Sequence, residues 1–470
     1  MAQLQLRQGI TDYRVVNMLW RSTTAGVIAV TFVAGCAVGP NFHSPAAPQT
    51  TQYTRGQQPT ETVDAPVPGG STQTLVVGKD IQSDWYSLFK SEPLDELVRR
   101  ALNESPTVEA AKAALHSAED TYLAERGALL LPQADGQFGV TRESTNFGIP
   151  GGKTSNFTLY SAAVNVSYRL DIFGGSRRQV EQLRAQADFQ HWELEAAYLT
   201  LTGNVVTTAF DVASLRDQLA AVNDVVAAEA RQYKVVQRQF EVGGASKADV
   251  LSQQAQLAQA QAVVPGLEKA LAQAQHRLAV LAGRTPDDAS VPDFALENFT
   301  LPTELPVSVP AKLVRQRPDV QAAEAQLHQA TAAVGIATAN LLPQLNLTGS
   351  ISTAALTPGG LFGPGNGAWS AGASLLQPLF HGGELRYKRR AAVADLERAD
   401  AQYRQTVLAA LQEVADALRA LEADARDLRA QVAAERAASD AFEIAKKQFQ
   451  VGGVSYFNVL NSQRLFLEAR

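Results

Sequence analysis

The side chains that could carry chemistry are few and, with one exception, scattered. Six histidines and 47 acidic residues are spread over 470 positions, and they form neither a metal-binding spacing nor a nucleophile paired with a base. The exception is Cys36, the only cysteine, which closes the tetrapeptide Val33-Ala34-Gly35-Cys36. This tetrapeptide follows an apolar run and matches a bacterial lipobox. The sequence therefore predicts no enzyme and a lipidated, palmitate-bearing Cys36; a stray cysteine is the alternative.

The segment before Cys36 has the composition of a signal peptide. Three arginines precede the apolar residues 25–34, a run that is too short to span a bilayer but suits a secretory signal. We therefore predict that residues 1–35 are a lipoprotein signal peptide. Ala37 follows the cysteine in place of the aspartate that usually retains such proteins in the inner membrane. This favours an anchor in outer-membrane lipid, which several acyl chains together make firm.

The charge and the cysteine count exclude two other classes of protein. Removal of residues 1–35 takes away three Arg and one Asp, so the formal charge falls from −6 to −8. An acidic chain of this kind is not expected to bind nucleic acid. With no second cysteine, the chain cannot form an intramolecular disulfide even in the oxidising periplasm.

The chain repeats itself once, at an offset of about 210 residues. Solenoid repeats have periods of about 20–50 residues, so this is a duplicated half-molecule, and whatever one half forms we expect the other to form. The recurring marks are residues 105–111 and 317–323, the Leu-Leu-Pro-Gln segments at 130–133 and 341–344, and the Val-Gly-Gly segments at 242–244 and 451–453.

Composition divides the rest of the chain around this repeat. After Gly244 the first copy continues for 39 residues to Gly283, whereas 17 residues follow Gly453, so we expect the second copy to be truncated at its C-terminus. Stretches rich in Pro, Thr, Gln and Gly without apolar periodicity are expected to lack domain structure. The predicted parts are an extended N-terminal leader (36–92), a first repeat (93–284), a Pro-rich linker (285–316) and a second repeat (317–470).

Each repeat contains one very long run without helix breakers. Residues 176–242 contain no proline and one glycine, and residues 384–451 contain neither. At a rise of 1.5 Å per residue, each run predicts a helix of about 100 Å. Apolar residues from Val407 to Val432 alternate at spacings of 4 and 3, which is the coiled-coil pattern. A solvated two-stranded coil is the alternative.

Each repeat also contains a hairpin of alternating residues, at 133–170 and at 344–380. In Gln344–Ser352, for example, Leu345, Leu347 and Ile351 alternate with polar residues. The strands are about 9–13 residues long, near the length of a tilted transmembrane strand. Two soluble hairpins on a helical body are the alternative.

Four membrane strands cannot stand alone. Open edges in hydrocarbon would leave backbone groups unpaired at a cost of several kcal/mol each, so the strands must close by association. Cyclic symmetry then gives eight, twelve or sixteen strands for two, three or four copies. The long helices would project from such a barrel as a second, helical barrel, and together they predict a hollow tube.

With these features in place, the chain resembles the outer-membrane efflux (TolC-like) family, in its lipoprotein branch of multidrug tripartite pumps. The resemblance covers nearly the whole chain from Cys36. The residues that carry it are Cys36 to Phe42, Trp85-Tyr86, Pro93-Leu94, Arg317-Pro318-Asp319, the two Leu-Leu-Pro-Gln segments, Phe380-His381-Gly382-Gly383 and the two Val-Gly-Gly turns.

The resemblance implies the fold class and the partners. The fold is an α+β membrane protein: a trimeric 12-strand β-barrel with four strands per chain, continuous with a long periplasmic α-helical barrel. The function is a passive exit duct for drugs and other small toxic compounds, without a cofactor. The implied partners are a homotrimer, a periplasmic adaptor (membrane fusion) protein and an inner-membrane pump of the resistance-nodulation-division type.

The resemblance also places the working parts at the two helix turns, which form the periplasmic tip and contact the adaptor. Glycine permits the reversal there, and serines are expected to cap the returning helices. Family members often have a ring of aspartates at the tip, but the matching positions here are Asn458 and Asn461, so we expect packing and hydrogen bonds to hold the tip closed. The assigned residues are Gly243, Gly244, Ser246, Gly452, Gly453 and Ser455 for adaptor contact, and Asn458, Asn461, Asp249 and Ser252 for the gate.

Three other functions stay open at this stage. The same tube could serve type I protein secretion, and the lipobox favours small molecules only by analogy. A periplasmic coiled-coil scaffold would have no ion conductance. A trimeric adhesin also builds a barrel from four strands per chain, but its strands are expected together at the C-terminus.

Overall fold

The computed structural model describes residues 37–56, 60–145 and 155–470. Cys36 and its predicted lipidation lie outside the described residues. The chain divides into two compact units. Among the described residues, the sheet unit contains 37–45, Leu115–Gln190 and Ala322–Arg404, and the hairpin unit contains Ala46–Ala114, His191–Gln321 and Gln405–Arg470.

Helices dominate the described residues. The two runs without helix breakers form helices of 67 residues each, as predicted. None of the described helices combines the length and the apolar composition that a membrane-spanning helix needs. The helices are α1 (Glu92–Glu104), α2 (Pro106–Leu130), α3 (Gly175–Glu241), α4 (Lys247–Leu281), α5 (Pro310–Gln316), α6 (Pro318–Ala339), α7 (Glu384–Gln450) and α8 (Tyr456–Ala469); the strands are β1 (Thr74–Val77), β2 (Gln133–Thr145), β3 (Ser155–Leu170), β4 (Glu304–Val307), β5 (Gln344–Ala355) and β6 (Gly367–Leu376).

The sheet unit is built on a four-stranded antiparallel sheet in the order β2-β3-β5-β6. Each half supplies one hairpin, and the two hairpins join where β3 pairs with β5, with Val164 opposite Ile351. Within the described strands, β2 and β6 are the two edges of this sheet. Alternation in sequence therefore predicted the strands correctly, although β6 ends at Leu376 rather than near residue 380.

One face of the sheet is apolar and exposed. Residues opposite each other in antiparallel strands lie on the same face, so Val164, Ile351 and Trp369 form one row across three strands. Ile351 is 71% exposed and Trp369 is 79% exposed. A contiguous apolar face of this kind is typical of a surface that meets a partner or a membrane. Its large exposed members are Phe138, Val140, Val164, Val166, Leu347, Ile351, Trp369 and Leu375.

The hairpin unit has its core around α1 and the middle of α3. Leu94 and Val98 of α1 and Val205 and Val212 of α3 are fully buried. The end of α4 lies against the end of α1, where Arg284 just beyond α4 forms a 2.5 Å ion pair with Glu104.

Two short strands and one helix lie in segments where the sequence indicated only a leader and a linker. β1 pairs in parallel with β4, with Thr74 opposite Glu304, and α5 follows directly. Leu75 and Val307 from these strands pack with Leu418 of α7. Strands of four residues that pair across about 230 positions leave no alternation or turn signal, so sequence analysis missed them.

A largely apolar cavity of about 680 Å³ lies beside this strand pair in the hairpin unit. At its margin Arg317 bonds to Glu413 of α7 at 2.7 Å and to Asp319 of α6 at 2.8 Å. Its lining includes Leu75, Trp85, Leu305, Val414, Leu418 and Leu421.

Candidate functional site

The two helix turns share one backbone geometry. At the end of α3, the N–H of Gly243 donates to the carbonyl of Phe240 at 3.0 Å, and the N–H of Gly244 donates to Gln239 at 2.7 Å. At the end of α7, Gly452 and Gly453 make the same two bonds, to Phe449 and Gln448, at 3.0 and 2.8 Å. This pair of bonds defines the Schellman motif, which satisfies the last carbonyls of a helix.

Glycine is required in these turns for its backbone conformation. Gly243 has φ +78° and Gly452 has φ +77°, a region in which a β-carbon costs roughly 1–2 kcal/mol. A β-carbon at either position would meet open space. Steric crowding by neighbours therefore does not explain these glycines, and the left-handed turn does.

The first returning helix, α4, begins with a complete capping box. The hydroxyl oxygen of Ser246 accepts from the N–H of Asp249 at 3.2 Å, and the Asp249 carboxylate accepts from the N–H of Ser246 at 2.8 Å and from its hydroxyl at 2.7 Å. The pKa of Asp249 is lowered mainly by the hydrogen bond from the Ser246 N–H and, to a smaller extent, by the bond from the Ser246 hydroxyl. The sequence predicted both the serine cap and the favourable charge of Asp249.

The second returning helix, α8, lacks the side-chain cap that the sequence led us to expect from Ser455. Ser455 has the extended conformation of a capping residue, but its side chain makes no cap bond. The N–H of Asn458 donates to the backbone carbonyl of Ser455 at 3.0 Å instead. Asp249 completes the box of α4, whereas Asn458 occupies the matching position of α8. The expected Ser455 cap is therefore wrong.

The four residues assigned to the gate lie in the first two turns of α4 and of α8. Ser252, Asn458 and Asn461 are exposed, and Asp249 is partly exposed. Asn461 accepts a bond from Arg464 at 3.2 Å. The two helix starts are close enough for the negative charge of Asp249 to raise the pKa of Tyr456, although burial is the main reason that this pKa rises to about 12.

Behind the exposed turns lies a buried polar contact that sequence analysis did not find. Glu229 of α3 is 5% exposed and accepts bonds from Gln253 of α4 and from Gln463 of α8, the latter at 3.2 Å. In a helix rich in Ala, Gln, Glu and Arg, a buried glutamate looks the same in sequence as its solvated neighbours. Only the fold distinguishes it.

In the sheet unit, a buried arginine holds the residues that follow Cys36. Arg178 of α3 is 4% exposed; it donates to the side chain of Asn41 at 2.6 Å and to the carbonyl of Val38 at 3.2 Å. It also bonds to Glu181 at 2.7 Å, which in turn bonds to His328 at 2.9 Å. Burial acts to raise the pKa of Glu181, but the bonds from Arg178 and His328 outweigh it and lower that pKa.

This arrangement contains no group suited to bind a metal ion. The described ranges 37–56, 60–145 and 155–470 hold no cluster of three or more His, Cys, Asp or Glu residues that could coordinate one. The chemistry available at the two turns consists of hydrogen bonds, shape and local charge. These are means of contact and closure.

Comparison with known proteins agrees with this fold. The chain superposes on the outer-membrane channel OprN with a TM-score of 0.82 at 25% identity, over 92% of this chain and 94% of that one. It superposes on the CmeC outer-membrane channel of Campylobacter jejuni with a TM-score of 0.81 at 21% identity, over 92% and 90%; this second likeness concerns the fold alone. The class of protein is that of outer-membrane channels.

The chain belongs to the outer membrane efflux protein family, which matches residues 97–284 and 309–470. It is 27% identical over 443 residues to nodulation protein T of Rhizobium leguminosarum bv. viciae, covering 94% of this chain and 87% of that protein. It is 28% identical over 405 residues to the pyoverdine export outer membrane protein OpmQ of Pseudomonas aeruginosa, covering 84% and 85%.

Membership confirms several predictions from the sequence. The resemblance to this family is correct, and the protein is not an enzyme, because the family consists of outer-membrane efflux channels. Its location is the outer membrane, with a part in the periplasm. The family is one of efflux transport and multidrug resistance.

Proposed function

We propose that the protein is the outer-membrane channel of a tripartite efflux system, a passive exit duct for drugs and other small toxic compounds that is gated at its periplasmic helical tip. One observation carries this proposal. A sheet with an exposed apolar face and two open edges occurs in the same chain as two 67-residue helices that end in turns. A sheet of this kind suits a membrane, and helices of that length suit a periplasmic tube.

The strand directions support closure by copies of the chain. β2 and β5 run one way, and β3 and β6 run the other, so β6 of one copy meets β2 of the next as an antiparallel partner. Three copies then make a 12-strand β-barrel without edges, which satisfies the backbone groups that hydrocarbon would leave unpaired. The helical parts of three copies would form the α-barrel.

Engineered disulfides test this closure, since Cys36 is the only native cysteine. Phe138→Cys in β2 is combined in turn with Trp369→Cys, Ala371→Cys and Ala373→Cys in β6, which lie on the same face. We expect one combination to run as a covalent trimer, because paired strands bring β-carbons within disulfide range. Ser370→Cys, which lies on the other face, is the control. A covalent dimer, or no cross-link in folded protein, would contradict the trimer.

The partners follow from the exposed turns. The two Schellman turns present short, exposed glycine loops, and we assign Gly243, Gly244, Ser246, Gly452, Gly453 and Ser455 to contact with a periplasmic adaptor. The adaptor would link the channel to an inner-membrane pump of the resistance-nodulation-division type. Relatives support export of small molecules: one is named for pyoverdine and another for toluene.

The lipid anchor at Cys36 is supported by the Arg178 contacts. Arg178 fixes Val38 and Asn41, and the N–H of Val38 donates to Phe173 just after β3 at 3.0 Å. The chain directly after Cys36 is thus held beside the end of a sheet strand, where an acyl chain would enter the same membrane. Labelled palmitate should enter the wild type and not Cys36→Ser; equal labelling of both would contradict the anchor.

The gate is assigned to Asn458, Asn461, Asp249 and Ser252. Asn458 and Asn461 offer amides where a carboxylate ring would bind cations. Converting both to Asp should therefore increase block of the channel by divalent cations, with Gln448→Glu on α7 as an added-charge control. Unchanged block in the double variant would contradict the placement of these residues at the constriction.

A further inference from the structure

Glu229 is a buried carboxylate at the meeting point of the two helical hairpins. Its helix, α3, leads into the first turn. One of its oxygens accepts from the amide of Gln253 on α4, and the other accepts from the amide of Gln463 on α8 at 3.2 Å. Gln253 is 0% exposed and Gln463 is 6% exposed. The Glu229 side chain thus joins its own helix, α3, to α4, which returns from the first turn, and to α8, which returns from the second turn.

The contact with α8 is part of a row. Tyr456 and Gln463 of α8 and Arg470, directly after the end of this helix, follow at intervals of seven residues, which places them on the same side. All three contact α3: Tyr456 accepts a bond from Gln232, Gln463 donates to Glu229, and Arg470 forms a 2.8 Å ion pair with Asp224. Gln463, the central residue of this row, is also linked to α4, because Glu229 accepts a second bond from Gln253 of that helix.

We propose that Glu229 is a positioning residue of the gate, which holds α8 on α3 so that Asn458 and Asn461 keep the closed position. This rests on the proposed function, because it assigns a closed position to the tip. Asn458 and Asn461 lie five and two residues before Gln463 in the same helix. A shift of α8 away from Glu229 would therefore move both.

The buried cluster favours protonation of Glu229 more than water does. Burial raises its pKa, and the bonds from Gln253 and Gln463 only partly oppose this. The carbonyl oxygen of Gln253 is buried without a hydrogen-bond partner among the described residues.

This gives the closed tip a definite dependence on pH. The titratable groups that face the cluster are Tyr456 of α8 and Asp249 of α4, which act on one another, and the Asp224–Arg470 pair flanks it. Opening would expose Glu229 to water and return its pKa to the ordinary range. Because the closed form binds the proton more tightly than the open form does, protonation of Glu229 stabilises the closed tip. This stabilisation is fully present below the ordinary pKa of glutamate and is lost as pH rises through the raised pKa of Glu229. Conductance should therefore increase with pH.

Two substitutions at Glu229 separate positioning from general stability. Glu229→Gln imitates the neutral form, with one acceptor and one donor, and should keep the tip closed while removing the increase of conductance with pH. Glu229→Ala leaves the buried amides of Gln253 and Gln463 unpaired and should raise the open fraction about tenfold or more. Glu241→Gln, an exposed position on the same helix, is the matched control and should behave as wild type.

We would measure the fraction of time that the channel is open in planar bilayers as a function of pH. The variants compared should have the same assembly mass as the wild type. Hydrogen exchange in α8 gives a second readout, and it should accelerate in Glu229→Ala but not in Glu229→Gln. If Glu229→Ala leaves both readouts unchanged, or if Glu229→Gln matches Glu229→Ala in both, Glu229 does not position the gate. If no variant conducts but exchange responds as expected, the proposed channel function fails while the contact of Glu229 with α8 stands.

Discussion

The two halves of the chain make the same turn and stabilise it differently. Both long helices end in a Schellman motif at a glycine with positive φ. The first returning helix, α4, then starts with the capping box of Ser246 and Asp249, whereas α8 starts with Ser455 and Asn458 and has no side-chain cap. The first hairpin therefore carries its own local stability. The second depends more on contacts that α8 makes with α3, including those of Gln463 and Tyr456.

The halves also differ where the hairpins return towards the core. Antiparallel helices joined at Gly243 bring the end of α4 beside the middle of α3, and there Val212 and Leu278 are both fully buried. Leu421, which matches Val212 in the repeat, lines the cavity of about 680 Å³.

This difference shows how a duplicated fold can divide its tasks. The first hairpin, whose returning helix α4 is capped, is held in place by its own contacts. The second hairpin has no side-chain cap and depends on a few polar contacts for its position, so we expect it to move more readily. The proposed gate residues Asn458 and Asn461 lie in the second hairpin, while Glu229 extends from the first. Each of the following predictions compares a position in one half with its counterpart in the other.

The largest difference is expected between Val212→Asp and Leu421→Asp. A charge at the fully buried Val212 has no partner, so unfolding should become easier by about 4 kcal/mol or more. Leu421 is partly exposed, so a charge there stays hydrated, and the loss should be below about 2 kcal/mol. Guanidinium unfolding followed by circular dichroism measures both. Equal losses would show that the two halves are covered alike.

A smaller difference is expected between Ser246→Ala and Ser455→Ala. Removing a capping serine costs about 1 kcal/mol, so Ser246→Ala should accelerate amide exchange in the first turn of α4 about fivefold. Ser455 makes no cap bond, and its substitution should leave exchange at the start of α8 unchanged. The expectation fails if both substitutions accelerate exchange to the same extent.

The smallest expected difference between the two helix starts is in how amide exchange responds to low pH. The pKa of Asp249 is lowered in the folded hairpin, so its contribution to stability is present above the ordinary aspartate pKa and is lost as pH falls through the lowered value. Exchange at the start of α4 should therefore accelerate in acid. Asp249→Asn should remove this dependence, and the start of α8, with Asn458 in the matching position, should show none. A similar acid response at both helix starts would contradict the assignment to Asp249.

The sequence predicted the parts of the fold that repeat or alternate over long distances. The absence of helix breakers was sufficient for α3 and α7, and strict alternation was sufficient for β5. Sequence failed where the signal is short or depends on distant partners. The β1–β4 pair involves four residues on each strand, and the Arg178 contacts join positions 140 and 137 residues apart in the chain.

At the candidate site, sequence predicted the turns and one of two caps. The positive φ of Gly243 and Gly452 follows from glycine at the end of a helix, and Ser246 with Asp249 is a recognisable box. Ser455 offered the same serine, but its side chain makes no cap bond. The burial of Glu229 depends on how three helices meet, which periodicity in a helix rich in small and charged residues does not determine.

The most direct test of the whole account is single-channel conductance of the purified full-length protein in a planar bilayer, with its cross-linked mass determined on the same sample. We expect a trimer with a small, mostly closed conductance, and a clear increase when Asn458 and Asn461 are both replaced by alanine. A trimer that conducts freely without any change in that variant would contradict the gate. An assembly that never conducts, with the tip intact or altered, would contradict the channel itself.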